Sequence, residues 1–280
     1  NAGSNLWIVA PGGEYEYGQV NPAIVTTDIS GCSAGLSLQT TFPINSFEYN
    51  HTQNSVCNYT TTMNGTSASS PIVSGAIALM LEVNPALTWR DVKHILANTA
   101  KKVDAASGVT NHPSNIYKGI TNFDLAGHTY EQGWITNAVG YDFHNWYGFG
   151  GIDVDQAVAM SKVYSENLGT QIIDQYTSAP DLAIPDYSST GVSDTINVTG
   201  NLIIENIQLV VDVNHLSSGD LGVELTSPSG TKTILLNINN SLLLGNDSNL
   251  SNIVLMTNAL YAESSTGNWT IKVIDGHNGV

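Results

Sequence analysis

Ser67 is the residue of this chain whose surroundings most favour nucleophilic chemistry. It stands in Asn64-Gly-Thr-Ser-Ala-Ser-Ser-Pro71, at the head of an apolar stretch from Ile72 to Val83. Gly65 lets the backbone bend sharply, and the small Thr66 leaves room for a substrate. A serine that opens a helix has an amide N–H without an intrahelical acceptor, free to donate to an oxyanion. The positive end of the helix macrodipole favours negative charge at the same place. Ala68, Ser69 and Pro71 keep the approach narrow but open. The hydroxyl still requires a histidine to take its proton and a carboxylate to orient that histidine. A helix N-cap serine is the structural alternative.

The elements that must position Ser67 are legible in the apolar spacing. Ile72, Val73, Ala76, Leu79, Met80 and Val83 recur at steps of three and four, which predicts one buried helix ended by Asn84-Pro85. Thr88 predicts an N-cap with Asp91 as its capping-box partner, followed by an amphipathic helix with Val92, Ile95 and Leu96 on its apolar stripe. A third short helix is predicted from Asp155 to Tyr164. Residues 165–191 are rich in turn formers and read as a linker into a new domain. Beyond them the period changes to two. TINVTG, IIENIQLVVDV, LGVELTS, TKTILLNI and NWTIKVID are β-branched, alternating and separated by turn formers, which predicts an all-β sandwich.

Composition limits the partners. Twenty-four acidic against eight basic side chains give a formal charge of −16. Such a surface repels phosphates, so no nucleic acid is expected as a partner. The run from Ile72 to Val83 is about a dozen residues, short of the roughly eighteen that a bilayer crossing needs, so no membrane partner is expected. The first residues lack the basic start and apolar run of a signal peptide. An Asn-rich, Lys-poor composition gives the chain an extracellular look, and there Cys32 and Cys57 would pair. Two free thiols are the alternative.

The GTSASSP block with its apolar helix closely resembles the serine box of the subtilisin superfamily, and VNPALTWRDV resembles its kexin and furin branch. AIVTTDISGC, from Ala23 to Cys32, resembles the strand and turn preceding that box, and NAVGYDFHNWYGFGGIDVDQAV resembles the closing segment of the catalytic domain. IPDYSSTGVSDTINV and HLSSGDLGVELTSPSGTKTILL resemble the P domain that follows. The resemblance implies an α/β subtilisin-like catalytic domain, in its C-terminal part and with a mostly parallel sheet, over residues 1–168. An all-β jelly-roll P domain would occupy 175–280, with its last strand missing. It implies a secreted, kexin-like serine endopeptidase acting on protein or peptide substrates through a Ser/His/Asp triad, with Ser67 as nucleophile. Asp28, at the matching TTD position, would line the pocket that receives a basic residue before the cut. A turn aspartate ahead of Ser30-Gly31 is the other reading of Asp28.

The departures from the family pattern are as informative. None of His51, His94, His112, His128, His144, His215 or His277 is followed by the Gly-Thr of the catalytic histidine, and no aspartate stands in the D-x-G box. The side-chain oxyanion donor, an upstream Asn, is also missing. The chain is therefore expected to be one part of a protease. The missing N-terminal fragment would be a second chain produced by nicking in a surface loop, with truncation as the alternative. Half a catalytic domain alone would expose much apolar surface. A catalytically silent fragment, serving as a P-domain binding or stabilising module, is the competing function.

Calcium is implied by the resemblance as a structural ion, with no ligands placed. Asp153 and Asp155 lack a D-x-D-x-D-G loop and read as a turn or helix cap. Asp212, His215 and Asp220 read as structural hydrogen bonding, and His144 and Trp146 as packing beside glycines.

Overall fold

The computed structural model describes residues 3–13, 23–37, 47–48, 51–107, 125–238 and 249–279; His112 lies outside them. In chain order the elements are β1 (Ile24–Thr27), β2 (Tyr59–Met63), α1 (Thr66–Val83), α2 (Trp89–Thr99), β3 (Ile135–Thr136), β4 (Asp142–Phe143), α3 (Val154–Val163), β5 (Ser188–Val198), β6 (Ile207–Val213), β7 (Leu221–Thr226), β8 (Lys232–Leu236), β9 (Leu250–Thr257) and β10 (Gly267–Asp275). They fall into two compact units. One comprises Val9–Leu87 and Val154–Val163; the other comprises Asn1–Ile8, Thr88–Asp153 and Tyr164–Val280.

In the first unit β1 and β2 form an antiparallel pair, with Thr26 opposite Thr60 and Thr27 opposite Tyr59. The pairing extends past β1, where the Asp28 amide donates to the Asn58 carbonyl at 2.7 Å. α1 follows β2 at once and packs against α3. Ala76 and Ala157 are both buried, and their small side chains suit a close approach of the two helices. Asn84, which ends α1, donates from Nδ2 to the Ser161 carbonyl of α3 at 3.0 Å.

The predicted helix starts earlier and is covered less than its pattern implied. Only Ala68, Ala76 and Met80 of α1 are buried, while Leu79, Leu81 and Val83 are exposed. A helix that is apolar on most sides needs cover on most sides, and the described residues supply it along one stripe. At 18 residues α1 is also long and apolar enough, by length and composition, to cross a membrane, which corrects the shorter run counted in the sequence. Four serines and Pro71 lie along it, and its contact with α3 fits a packed helix.

The expected mostly parallel sheet is not found among the described residues. Every strand pair is antiparallel, including β1 with β2 and β3 with β4. Parallel neighbours require a crossover, usually helical, that returns the chain to the same end of the sheet. Between β1 and β2 the described residues include both ends of a disulfide and a short 3-10 turn at Thr52–Asn54, and β2 runs antiparallel to β1.

The second unit holds the sandwich. β5, β10, β7 and β8 lie in that order in one antiparallel sheet, and β6 pairs with β9 in another. Val211 of β6, Leu221 and Val223 of β7, Leu236 of β8 and Leu250 of β9 meet in one buried cluster, so inward residues of both sheets share a core. Ile204, Leu225, Leu260 and Trp269 form a second cluster. β9 was not among the predicted strands. Residues 165–187 hold no helix or strand, but β5 begins at Ser188, inside the stretch 165–191 expected to be linker, so the last four of those residues are strand.

α2 belongs to this same unit. Its capping box is formed, with the Thr88 amide donating to Asp91 at 2.8 Å and the Asp91 amide donating to the Thr88 hydroxyl at 3.3 Å. Val92, Ile95 and Leu96 are buried as the stripe predicted. Around Tyr261 the rings of Trp7, Tyr141 and Phe149 pack edge to face. The fully buried Glu263 carboxylate accepts from the Ala138 amide at 3.0 Å and the Ser227 hydroxyl at 2.7 Å.

Candidate active site

Gly65 caps α1 with φ 92° and ψ 173°, a backbone region that only glycine occupies readily. That turn sets Thr66 and Ser67 as the first two residues of the helix. The Ser67 side chain is exposed. Among the described residues neither its hydroxyl nor its amide has a hydrogen-bond partner. Pro71 stands at i+4 and has no N–H to return to the Ser67 carbonyl. Gly12 completes the turn from outside. A Cβ there would lie 3.1 Å from the Gly65 carbonyl oxygen and from the Ser69 hydroxyl, tight enough that the turn would have to give by a few tenths of an ångström.

A cavity of roughly 300 Å3 opens ahead of this helix. Its walls include Thr26, Thr27 and Asp28 at the end of β1, Leu36, and Thr62, Met63 and Asn64 leading out of β2 towards Ser67. The Asp28 carboxylate is heavily engaged. Oδ1 accepts from the Ile29 amide at 2.8 Å, and Oδ2 accepts from the Leu36 and Ser37 amides at 2.7 and 2.6 Å. These main-chain donors, Ser37 foremost, hold its carboxyl below the usual carboxylate range, so it is an anion at neutral pH. Asp28 thus both lines the cavity and folds the loop that forms one of its walls.

The same loop is closed by a disulfide between Cys32 and Cys57. Behind β2 lies a buried polar network that sequence reasoning missed. Asn54 donates to the Ser37 hydroxyl at 3.0 Å and to the Tyr59 carbonyl at 2.8 Å, and accepts from the Tyr59 amide at 3.1 Å. The buried Glu48 accepts from the Thr60 hydroxyl and the Thr61 amide, each at 2.6 Å. Glu48 fixes the strand whose next residues line the cavity. No local pattern marks either residue, because their partners are main-chain groups and hydroxyls chosen by the tertiary fold.

The described histidines make contacts away from Ser67. His51 accepts from the Gln53 amide at 3.2 Å, His94 meets the Tyr261 hydroxyl at 2.8 Å, and His215 faces Asp275 at 3.4 Å. His128 Nε2 lies 3.0 Å from Asn237 Oδ1. His144 lies 3.1 Å from the Ser107 hydroxyl, an arrangement that resembles a serine and its base. The Trp146 amide, however, donates to His144 Nδ1 at 3.0 Å, so Nε2 carries the proton and donates to Ser107. Burial lowers the His144 pKa and keeps it neutral. This pair is structural, and Trp146 donates its indole N–H to Glu131 at 2.7 Å as part of the same packing.

Among the described residues no three His, Cys, Asp or Glu side chains converge as metal ligands. Asp153 pairs with Lys101, Asp155 lies in the first turn of α3, and Asp212 accepts from the Asn252 amide at 2.8 Å. The Asp220 carbonyl accepts from the Gly276 amide at 2.8 Å. The Asp153 and Asp212 carboxylates are thus engaged in structural contacts.

The chain matches two known families along its length. The profile of the Subtilase family matches residues 1–150, and that of the Proprotein convertase P-domain matches residues 204–280. It is 35% identical to the Aeromonas extracellular serine protease of Aeromonas sobria, over all of this chain and 46% of that protein. It is 33% identical to rat proprotein convertase subtilisin/kexin type 5, over 75% of this chain and 11% of that one. The fold is similar to the crystal structure of the Aeromonas sobria serine protease, with a TM-score of 0.84 at 32% identity, covering all of this chain and 48% of that one. The same Aeromonas protease has been crystallised in complex with a chaperone, and that structure is similar at a TM-score of 0.81 and 31% identity, covering all of this chain and 48% of that one. The chain spans about half the length of these Aeromonas relatives.

Proposed function

Because the chain belongs to the subtilase family of serine proteases, and carries a proprotein convertase P domain after its catalytic part, we propose that it forms part of a secreted endopeptidase with Ser67 as nucleophile. The observation that carries this reading is the position of Ser67. It is exposed at the open N-terminus of α1, two residues after Gly65, with its amide N–H unengaged among the described residues. In the first step the Ser67 Oγ forms a bond to the scissile carbonyl carbon while its proton passes to a histidine. The developing oxyanion is held by the Ser67 amide, with the positive end of the α1 dipole beneath it. Collapse of that intermediate breaks the C–N bond as the histidine gives its proton to the leaving amine, and water then hydrolyses the acyl-enzyme by the same path.

The histidine and its orienting aspartate come from protein outside these residues, either as a second chain left by nicking or as an upstream part of the same polypeptide. Two observations support this: the described histidines are engaged elsewhere, and α1 exposes Leu79, Leu81 and Val83. Secretion is supported by the disulfide and by the extracellular designation of the Aeromonas sobria relative. Preference for a basic residue before the cut belongs to the same reading, with the Asp28 anion at the cavity wall as its support.

Labelling of the assembled protease with a fluorophosphonate tests the nucleophile. Peptide mapping should find the adduct on Ser67, because only an activated hydroxyl reacts. An adduct on another serine, or none in an actively cleaving preparation, would remove Ser67 from the mechanism.

A further inference from the structure

β8 lies at one end of the sheet order β5-β10-β7-β8, so among the described residues one of its long sides faces no strand. Alternate residues of such an edge direct their amides and carbonyls outward, where they invite pairing with another chain. Residues 233–238, Thr-Ile-Leu-Leu-Asn-Ile, make the invitation strong, since they are uncharged, β-prone and free of Gly and Pro. At the other end of the sheet β5 carries Asp194 and a register shift against β10, both of which blunt an edge.

On β8 side chains meet the outward groups. Gln132 Nε2 donates to the Lys232 carbonyl at 3.0 Å, and its Oε1 accepts from the Ile234 amide at 2.9 Å. One side-chain amide thus does for residues 232 and 234 what a peptide group of a neighbouring strand would do. Asn145 Nδ2 donates to the Ile234 carbonyl at 3.1 Å. Ile234 is buried, so its amide and carbonyl need these partners. Just past the strand, Asn237 Nδ2 donates to the Tyr130 carbonyl at 2.5 Å. The β3–β4 pair brings the two caps together: Ile135 stands opposite Phe143, and Gln132 and Asn145 border the same small cleft as that pair. Gly133, at φ 65°, turns the chain directly after Gln132.

We infer that Gln132 and Asn145 act as a false strand that keeps β8 from pairing with the β8 of a second copy of this chain. With the caps removed, two copies meet about a two-fold axis and continue the antiparallel sheet through their β8 edges. The caps lie within the residues matched by the Subtilase profile and β8 within those matched by the P-domain profile. The edge of the sandwich is therefore closed only while the catalytic-family segment is folded against it.

The test uses the assembled protease carrying Gln132→Met with Asn145→Leu, which keep side-chain size and remove the hydrogen-bonding groups. Size exclusion with light scattering should show the variant's mass rising with concentration towards about twice that of wild type, while wild type at the same concentrations does not change. Hydrogen exchange identifies the surface. The Ile234 amide should exchange slowly in wild type, fast in the dilute variant, and slowly again once the variant associates. A variant that keeps the wild-type circular dichroism and the wild-type mass overturns the inference, as does association that leaves the Ile234 amide fast. Should the double variant fail to fold, Gln132→Met alone carries the same outcomes. A fast-exchanging Ile234 amide in wild type overturns the capping itself.

Discussion

Arg90, in the first turn of α2, forks onto Glu205 ahead of β6, with Nε 2.9 Å from Oε1 and 3.0 Å from Oε2. Its remaining nitrogens donate to the Gly169 carbonyl at 2.6 Å and the Leu168 carbonyl at 3.1 Å. One guanidinium therefore ties a helix of the catalytic-family segment to the chain leaving that segment and to the approach to the sandwich. The hydrogen bonds of Glu205 are the largest cause of a raised Arg90 pKa, and the pair is mostly shielded from water. Removing one partner leaves the other charge shielded and unpaired. Arg90→Ala should cost about 2 kcal/mol, between the values for exposed and fully buried pairs. Arg90→Lys should recover less than half, since an ammonium cannot fork. Denaturant unfolding of the two variants and wild type decides this, and equal midpoints would show the contact to be idle.

A truncation extends the same relationship. Deleting residues from 175 onward removes Glu205 and also Tyr261, against which the Trp7 ring packs at 5.3 Å. Trp7 and the buried stripe of α2 would then face water, so little soluble protein should remain. A soluble, active and equally heat-stable enzyme lacking 175–280 would contradict this.

Gly65→Ala probes the turn that presents Ser67. A Cβ at this position meets no atom within 4 Å, so the cost is backbone strain alone. At φ 92° and ψ 173° that strain should be about 1 to 3 kcal/mol. The strain is relieved if the helix start shifts and carries Ser67 away from the carbonyl it attacks. The expected signature is a large fall in kcat with a small change in KM. Ser67→Ala should lower kcat by roughly 10⁶-fold, as for nucleophiles of other subtilisin-like enzymes.

The disulfide between Cys32 and Cys57 spans a separation of 25 residues, and loop-closure entropy gives it roughly 3.5 kcal/mol. The double substitution Cys32→Ser with Cys57→Ser should lower stability by an amount of that order. Because Asp28 folds the same loop, the variant should also lose discrimination between residues before the cut. Unchanged selectivity in a destabilised variant would separate the bond from the pocket.

Acid should destabilise the sandwich-containing unit through its buried histidines. Desolvation lowers the His128 pKa below its ordinary value, and burial acts on His144 in the same direction. The unfolded chain, with an ordinary histidine pKa of about 6.5, therefore takes up protons first as pH falls. The stabilising contribution is complete above that value and is lost between it and the lowered folded pKa. The melting temperature should fall on acidification through that window, and His128→Gln should reduce the slope. An identical pH profile in wild type and variant would assign the acid sensitivity to other groups.

By itself the sequence determined the local elements and the chemistry at their ends. The capping box at Thr88 and Asp91, the buried stripe of α2, the glycine before Ser67 and most sandwich strands follow from period and from neighbours a few residues away. β9 escaped because its unbroken Ile-Val-Leu-Met run does not distinguish a strand from a buried helix segment. Tertiary structure alone decided the pairing of β1 with β2, the buried seats of Glu48 and Asn54, the fork between Arg90 and Glu205, and the three amides on Asp28. The fork joins residues 115 apart in the chain, and the donors on Asp28 and many partners of Asn54 are main-chain groups, which carry no residue identity. Their choice of partner therefore leaves no mark in the sequence until the backbone has folded.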